Sequence, residues 1–556
     1  MLTQFGYPRP RVARHAVRLL LLGLLLGLLL TSFAIPGDAA TGTMARATPA
    51  TPAAPAPEVG PGDADPDLYA PVLPDQRDAV YAETAGRLSR YRIEATIVPA
   101  AETRPATITG TVDLRVYNDA GEDRDALYFR LYANDDRYAE GGMTLDAVAV
   151  AGVPTTPELS VADTVARVPL SAPLATGAAI DLTVGFAATV PTAAAESYGM
   201  FNYAPDSGTL ALAHWFPILA GYGQDGAWNL APPSANGDPV FANTALYDVA
   251  LTAPTDLVLV TTGSEVDAAP AGDGATRHRF VSGPVRDFTV VADDDYETVT
   301  EEVDGTTVVS HFNPANAEGG AAVLRFGAQA LRHFNERLGA YPYAEMDLVD
   351  LTVRNGAAGI EFPQLMFIGG DYYDDPNLAR GVPTFLEDVV AHEVLHQWWY
   401  ALVGNDQYVD AFIDEGLTNY LTMVYFELVY GPEVGAEQTE IYLERPYLRV
   451  LFSRGDDVVD RPTDDFASGG LYAVMVYNKA ALGFGAIREA IGDEAFFGAL
   501  RAYAADYRFE VAVPGDLLAA FEAAAGEELD ELWRHWFEAA EGAEDYTRDD
   551  LDRDAR

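Results

Sequence analysis

The sequence predicts two folded domains of different class. An antiparallel, sandwich-like β-domain is expected over residues 76–304, and an α-rich (α+β) domain over 305–540. Three observations predict this. From about residue 90 to residue 300 the chain runs as short alternating stretches bounded by turn residues, with no helical pattern between them. From "GGAAVLRFGAQALRHFNERLG" (319–339) onward, the apolar spacing lengthens to that of a helix. The chain has 556 residues, 49% of them hydrophobic, which suits several cores better than one.

Taken in order, the elements begin with a leader. Arg9, Arg11, Arg14 and Arg18, with no acid among them, precede "LLLLGLLLGLLLTSFAI", and Pro36 and Gly37 follow. A basic start, an apolar run and small residues beyond it read as a secretory signal over 1–35, with cleavage points after Ala34 or Ala39. The apolar run is shorter than the about 20 residues of a spanning helix. The expected location is therefore secreted or extracellular, and the alternative is a membrane tether through an uncleaved N-terminal segment. Residues 36–75, as in "ATPATPAAPAPEVGPG", are an Ala/Pro/Thr-rich linker.

"RYRIEATIVPA", "ATITGTVDLRVYND", "DALYFRLYAN", "AIDLTVGFAATV", "TALYDVALTAP" and "LVLVTTG" are then expected as strands. In the second domain, 319–339 is a helix and "EMDLVDLTVR" a strand. "TFLEDVVAHEVLHQWWYALVG" is a helix stopped by Gly404, and a further helix runs from about Asp414 to Gly431. The last helix surrounds "LDELWRHWFEAAEG", and 541–556 is a charged tail.

Composition excludes several functions. The formal charge is −49, so nucleic acid is not an expected partner, because a phosphate binder needs a basic face. Loss of the leader would remove four Arg and no acid and leave the chain more acidic still. The charge reads as a solvated surface that favours solubility. With no cysteine there are no disulfides, thiol nucleophiles, thiolate ligands or lipid-modified Cys anchor. Any metal must be held by His, Asp or Glu.

One stretch carries chemistry: "VVAHEVLHQWWY", 389–400. His392 and His396 are four apart, hence on one helix face and able to share a tetrahedral ion. Zinc binds neutral imidazole well, and a catalytic site takes three protein ligands and leaves a position for water. Glu393 is placed to take a proton from that water. The alternative is an apolar helix that happens to carry two of the eight histidines of the chain. Glu415 lies 19 positions after His396, at the start of a helix reached through a turn at Gly404 and Asn405. It is the candidate third ligand, against the alternative of a helix-start carboxylate favoured by the dipole. Asn419, one turn further on, is a candidate acceptor for the second N–H of a metal-bound histidine, or else an exposed polar residue.

"HEVLHQWWY" with "FIDEGLTNYL" resembles the His-Glu-x-x-His, eighteen residues, Glu signature of the zinc aminopeptidases related to aminopeptidase N and leukotriene hydrolase, a branch of the gluzincins. "AAGIEFPQ" (357–364) resembles that family's amine-binding motif, and "VYNKAAL" (476–482) its Tyr-x-Lys-Gly segment, with Ala480 at the Gly position. "YRIEATIVP", "GTVDLRVYND" and "LYFRLYAN" resemble the opening strands of its N-terminal domain. The resemblance implies a short bacterial-type member with a thermolysin-like catalytic domain and one Zn2+ per chain. It implies His392, His396 and Glu415 as ligands and Glu393 as the base. By the same resemblance, Tyr477 donates its hydroxyl to the tetrahedral oxyanion and Glu361 binds the free α-amine of the substrate. Ala358 and Gly359 are small enough for a peptide strand to approach the backbone beside Glu361.

The pattern departs from the family at "LALAHWFPILAGYG" (210–223), which lacks the usual acidic motif and offers no second clamp for the amine. The favoured expectation is a metallopeptidase that removes N-terminal residues from peptides. An endopeptidase or non-peptide hydrolase on the same zinc site is the first alternative, and a silent peptide-binding or adaptor protein is the last. The partner expected in either enzyme case is a peptide or protein substrate. The sequence leaves side-chain preference and oligomeric state open.

Overall fold

The computed structural model describes residues 65–551, apart from 139, 193–197, 235, 238–239 and 355. The expected leader, most of the linker and the last five residues lie outside the described residues. Among the described residues, no helix is long and apolar enough to cross a membrane.

A short helix, Arg77–Thr84, leads into the first domain. Its main sheet has eight strands, in the order 264–272, 275–285, 245–254, 89–98, 106–117, 179–190, 142–150 and 153–154. In Ser89–Val98, Tyr91, Ile93, Ala95 and Ile97 are buried while Arg92, Glu94 and Thr96 face out, which is the two-residue period of a half-buried strand. Two four-stranded sheets complete the domain. Each of the six strand stretches read from the sequence forms a strand, although "DALYFRLYAN" leaves the sheet after Arg130 and finishes in a tight turn at Tyr132–Asn134.

One pairing in the main sheet departs from the expected antiparallel arrangement. Ser89–Val98 pairs antiparallel with Ala106–Tyr117 (Ile93 opposite Val112) but parallel with Ala245–Pro254 (Ile93 opposite Val249). Alternation fixes which face is buried and is blind to strand direction.

The second domain is built on a five-stranded sheet, in the order 297–303, 306–312, 345–351, 365–369 and 359–362. The sheet begins at Glu297, ahead of the expected start at 305. Its middle three strands are parallel, and Ala317–Leu338 is the crossover helix between the first two of them. Gly359–Phe362 is an edge strand, paired on one side only, with Leu365–Gly369. Helices pack over this sheet from Phe385 onward.

The helix that carries the two histidines spans Phe385–Leu395, with His396 as its C-cap. The expected continuation to Gly404 is absent. Arg286, from the first domain, is buried and donates to the carbonyls of Tyr400 (2.7 Å) and Leu402 (3.3 Å). Past His396 the ladder itself changes: the Ala401 N–H donates to the His396 carbonyl and the Val403 N–H to the Trp398 carbonyl, both at 3.0 Å, while Tyr400 sits at φ 106° and gives its N–H to the Val403 carbonyl. The same guanidinium reaches the carbonyls of Ala242 and Glu510, so it fastens the two domains behind the histidine helix.

Candidate metal centre and active site

Thr384 caps the histidine helix by accepting from the Glu387 N–H at 3.2 Å. Leu386, Val389, Val390, Val394 and Leu395 are buried and fix the face that His392 and His396 present. After the turn, Asp414 accepts from the Glu415 N–H and starts the helix Glu415–Tyr430, which is stopped by Gly431. These two helices bring the predicted ligands together. His392 Nε2 and His396 Nε2 are 3.1 Å apart, and each is 3.3 Å from Glu415 Oε2.

This triangle fits a tetrahedral ion. Donors about 2.0–2.1 Å from such an ion lie about 3.3–3.4 Å from one another. His396 Nδ1 is 3.0 Å from the Trp399 carbonyl, so its N–H faces that oxygen and Nε2 is left as the donor toward the shared point. The charges agree with a cation. Burial pushes His392 down as a proton acceptor. Burial alone would do the same to His396, but Glu361, Glu415 and Glu393 around it raise it well above the usual histidine range. Burial would raise Glu415, yet His396 and His392 hold it far below the usual carboxylate range. Among the described residues one other group of acids could hold a cation, Asp293 to Asp295, and two of its three members are exposed.

Glu393 is raised well above the usual carboxylate range by burial and by its neighbour Glu361. Its Oε2 is buried with no hydrogen-bond partner among the described residues. Its other oxygen lies against the edge strand, where a Cβ on residue 359 would come within 2.4 Å of Oε1. A side chain at 359 would therefore displace the Glu393 carboxylate, a reason for glycine that the sequence reading did not contain. The Ala358 carbonyl accepts from the Gly369 N–H at 2.8 Å, inside the hairpin.

Glu361, on the same edge strand, is buried with Oε1 4.0 Å from His396 Nδ1. Tyr477 lies on a continuous helical run, Gly469–Ile491, that widens to a π-helical turn over Val474–Lys479. Its hydroxyl donates to Glu415 Oε1, and its ring stacks at 18° on His392. The run is anchored by Lys479, which is buried and donates to Asp456 (2.9 Å) and to the carbonyls of Asp457 (2.8 Å) and Ala539 (2.7 Å). It also crosses the Glu415 helix closely, because a Cβ on Gly416 would meet Ala480 Cβ at 2.5 Å and the Val476 carbonyl at 2.9 Å.

The structure thus gathers His392, Glu393, His396, Glu415, Tyr477 and Glu361 into one site. The expectation for Asn419 is corrected. Its side-chain amide donates to the Tyr477 carbonyl at 2.8 Å and so ties two helices together, and among the described residues its Oδ1 makes no hydrogen bond to a histidine. Beside His396 Nδ1 lie the Trp399 carbonyl, Thr418 Oγ1 at 3.5 Å and Glu361 Oε1 at 4.0 Å.

Every one of these groups falls within residues 324–536, the stretch that matches the Peptidase family M1 domain. Among curated relatives, Aminopeptidase N of Acetobacter pasteurianus is 25% identical over 189 residues, 33% of this chain and 53% of that protein. Aminopeptidase M1 of Arabidopsis thaliana is 24% identical over 242 residues, 42% of this chain and 27% of that protein. The chain thus spans about half or less of the length of these relatives. An M1 zinc metallopeptidase from Deinococcus radiodurans shares the fold, with a TM-score of 0.60 at 20% identity over 82% of this chain and 94% of that one. The match of both domains to an M1 structure agrees with the sheet-then-helices order read from the sequence.

Proposed function

We propose that this chain is a zinc metallopeptidase that removes N-terminal residues from peptides. The observation that carries the reading is the triangle of His392 Nε2, His396 Nε2 and Glu415 Oε2 at 3.1–3.3 Å, with Glu393 beside it. Zinc, when bound there, supplies Lewis acidity that makes a water a stronger acid and a carbonyl a better electrophile. The rest falls to the chain.

The Gly359–Phe362 edge has a free side on which an extended peptide can add as a strand. Glu361 would pair with the ammonium of that peptide and so bring its first peptide bond to the triad. Glu393 would accept the proton of the attacking water as its oxygen bonds to the carbonyl carbon, and would pass that proton to the departing amine nitrogen. The Tyr477 hydroxyl, now held by Glu415, would turn its hydrogen bond to the oxygen that becomes negative. Water is limited by burial, since Glu361, Glu393, His396 and Glu415 are all buried. In agreement with this reading, a mutant of the Deinococcus radiodurans enzyme with the same fold was solved with a Tyr-Ser-Ala substrate.

Site of action belongs to the same proposal. The basic, then leucine-rich N-terminus supports export, and fractionation of the producing cells with antibody detection tests it. For the activity, purified protein should hold near one equivalent of zinc and hydrolyse aminoacyl reporter substrates, and a chelator should abolish turnover reversibly. Zinc binding without turnover of any free-amine substrate would refute the reading.

A further inference from the structure

Gln397 directly follows the second histidine and is fully buried. Its side chain points away from the triad and into the turn of the hairpin that carries Glu361. Gln397 Oε1 accepts from the Gln364 N–H at 2.8 Å, and Nε2 donates to the Phe362 carbonyl at 3.0 Å and contacts Met366 Sδ at 3.0 Å. These two backbone groups flank Pro363, which has no N–H of its own to give. Gln364 sits at φ 66°, an uncommon conformation for a residue with a Cβ. Its own amide donates to the Ser282 carbonyl of the first domain at 2.8 Å. The hairpin turn is therefore held from two sides, by the first domain through Gln364 and by the histidine helix through Gln397.

We infer that Gln397 is a positioning residue for recognition of the substrate amine. It is adjacent in the chain to His396, and the carbonyl it binds is adjacent to Glu361, so one amide sets how far the Glu361 carboxylate stands from the triad. That spacing decides whether a free N-terminus and the first peptide bond are engaged together. An apolar side chain of similar length would fill the same space and leave the hairpin free to shift. Glu361 would then meet the ammonium poorly in both the bound substrate and the transition state, which raises KM more than it lowers kcat. The inference rests on the aminopeptidase reading above and concerns the same site.

The test uses Gln397→Met, which keeps length and loses the amide, and Gln397→Glu, which keeps an acceptor for Gln364 and loses the donor to Phe362. Wild-type and variant enzymes, each with measured zinc content, are compared on a peptide with a free N-terminus and on its N-acetylated twin. Discrimination by the wild type tests the aminopeptidase reading itself, and the variants test the role of Gln397. We expect near one equivalent of zinc in both variants and a KM for the free peptide raised by about tenfold, the effect of one lost charge-orienting hydrogen bond. The kcat should change less than threefold, and the preference for the free peptide should fall in proportion. Gln364→Gly, which keeps the N–H that Gln397 holds but loses the amide to the Ser282 carbonyl, should lower the preference less than either Gln397 variant. A fall in kcat at constant KM, or unchanged discrimination, would overturn the inference. So would loss of zinc or failure of both Gln397 variants to fold, because Gln397 would then be a residue of the framework.

Discussion

Gly416→Ala should disable the enzyme without removing its metal. An added Cβ would lie 2.5 Å from Ala480 Cβ and 2.9 Å from the Val476 carbonyl oxygen. Ordinary contact between carbon atoms is about 3.5–4.0 Å, so the overlap is about 1 Å. Both opposing atoms are fixed to backbone, so no rotamer change relieves it, and the Glu415 helix and the Tyr477 run must separate by about that distance. Overpacking of this kind costs about 1–3 kcal/mol, and replacing Gly by Ala inside a helix returns about 1 kcal/mol. The net loss of stability is therefore small, about 2 kcal/mol at most. Catalysis should suffer more. The Tyr477 hydroxyl is carried on the displaced run, and a misplacement of about 1 Å at a reacting centre costs about a hundredfold in rate. The assay is kcat on an aminoacyl reporter, with zinc content and Tm measured in parallel. Ala480→Gly, added to Gly416→Ala, removes the nearer opposing atom and should recover part of the rate, a coupling that a double-mutant cycle reads directly. A zinc-loaded Gly416→Ala enzyme with kcat within threefold of wild type, or no recovery in the double variant, would refute the reasoning.

Other substitutions separate the roles of the site residues. Glu415→Ala should lose most of its zinc, measured by metal analysis after dialysis, because one corner of the 3.1–3.3 Å triangle is gone. Glu393→Gln should keep zinc and Tm but lose about a hundredfold to ten-thousandfold in turnover, since it moves a proton and binds no metal; near-normal turnover would remove it from the mechanism. Away from the site, burial pushes Asp287 up to about 7. The folded state then holds a proton that an unfolded Asp releases near pH 4. Stability should fall as pH rises from about 4 to 7, and Asp287→Asn should flatten that slope in chemical denaturation across the same range.

How much of this was legible in the sequence varied with the range of the interaction. His392, Glu393 and His396 could be read because a helix puts residues four apart on one face. Glu415 followed from a single turn and a helix start. Tyr477 and Glu361 carry no local mark of their role and were visible only through the resemblance. The position of Tyr477 depends on Gly416 meeting Ala480, and that of Glu361 on Gln397 and Gln364, contacts between segments far apart in the chain. For Asn419 the sequence pointed to the acceptor end of the amide, and the bond the structure shows uses the donor end, on a backbone carbonyl in the wide turn. The end of the histidine helix was misread because no Gly or Pro marks it. The chain turns instead at Tyr400, at φ 106°, and the carbonyls of that turn are held by Arg286, more than a hundred residues upstream. The parallel pairing of 89–98 with 245–254 was hidden for a simpler reason, since alternation looks the same in either direction.

The measurement that tests the central claim most directly is product mapping by mass spectrometry. The zinc-loaded protein is given one peptide with a free N-terminus and its N-acetylated twin. If Glu361 pairs with the substrate ammonium and so brings the first peptide bond to His392, His396 and Glu415, the free peptide should shorten one residue at a time from its N-terminus and the acetylated peptide should stay intact. Equal cleavage of both peptides at internal bonds would contradict that account and leave an endopeptidase on the same triad.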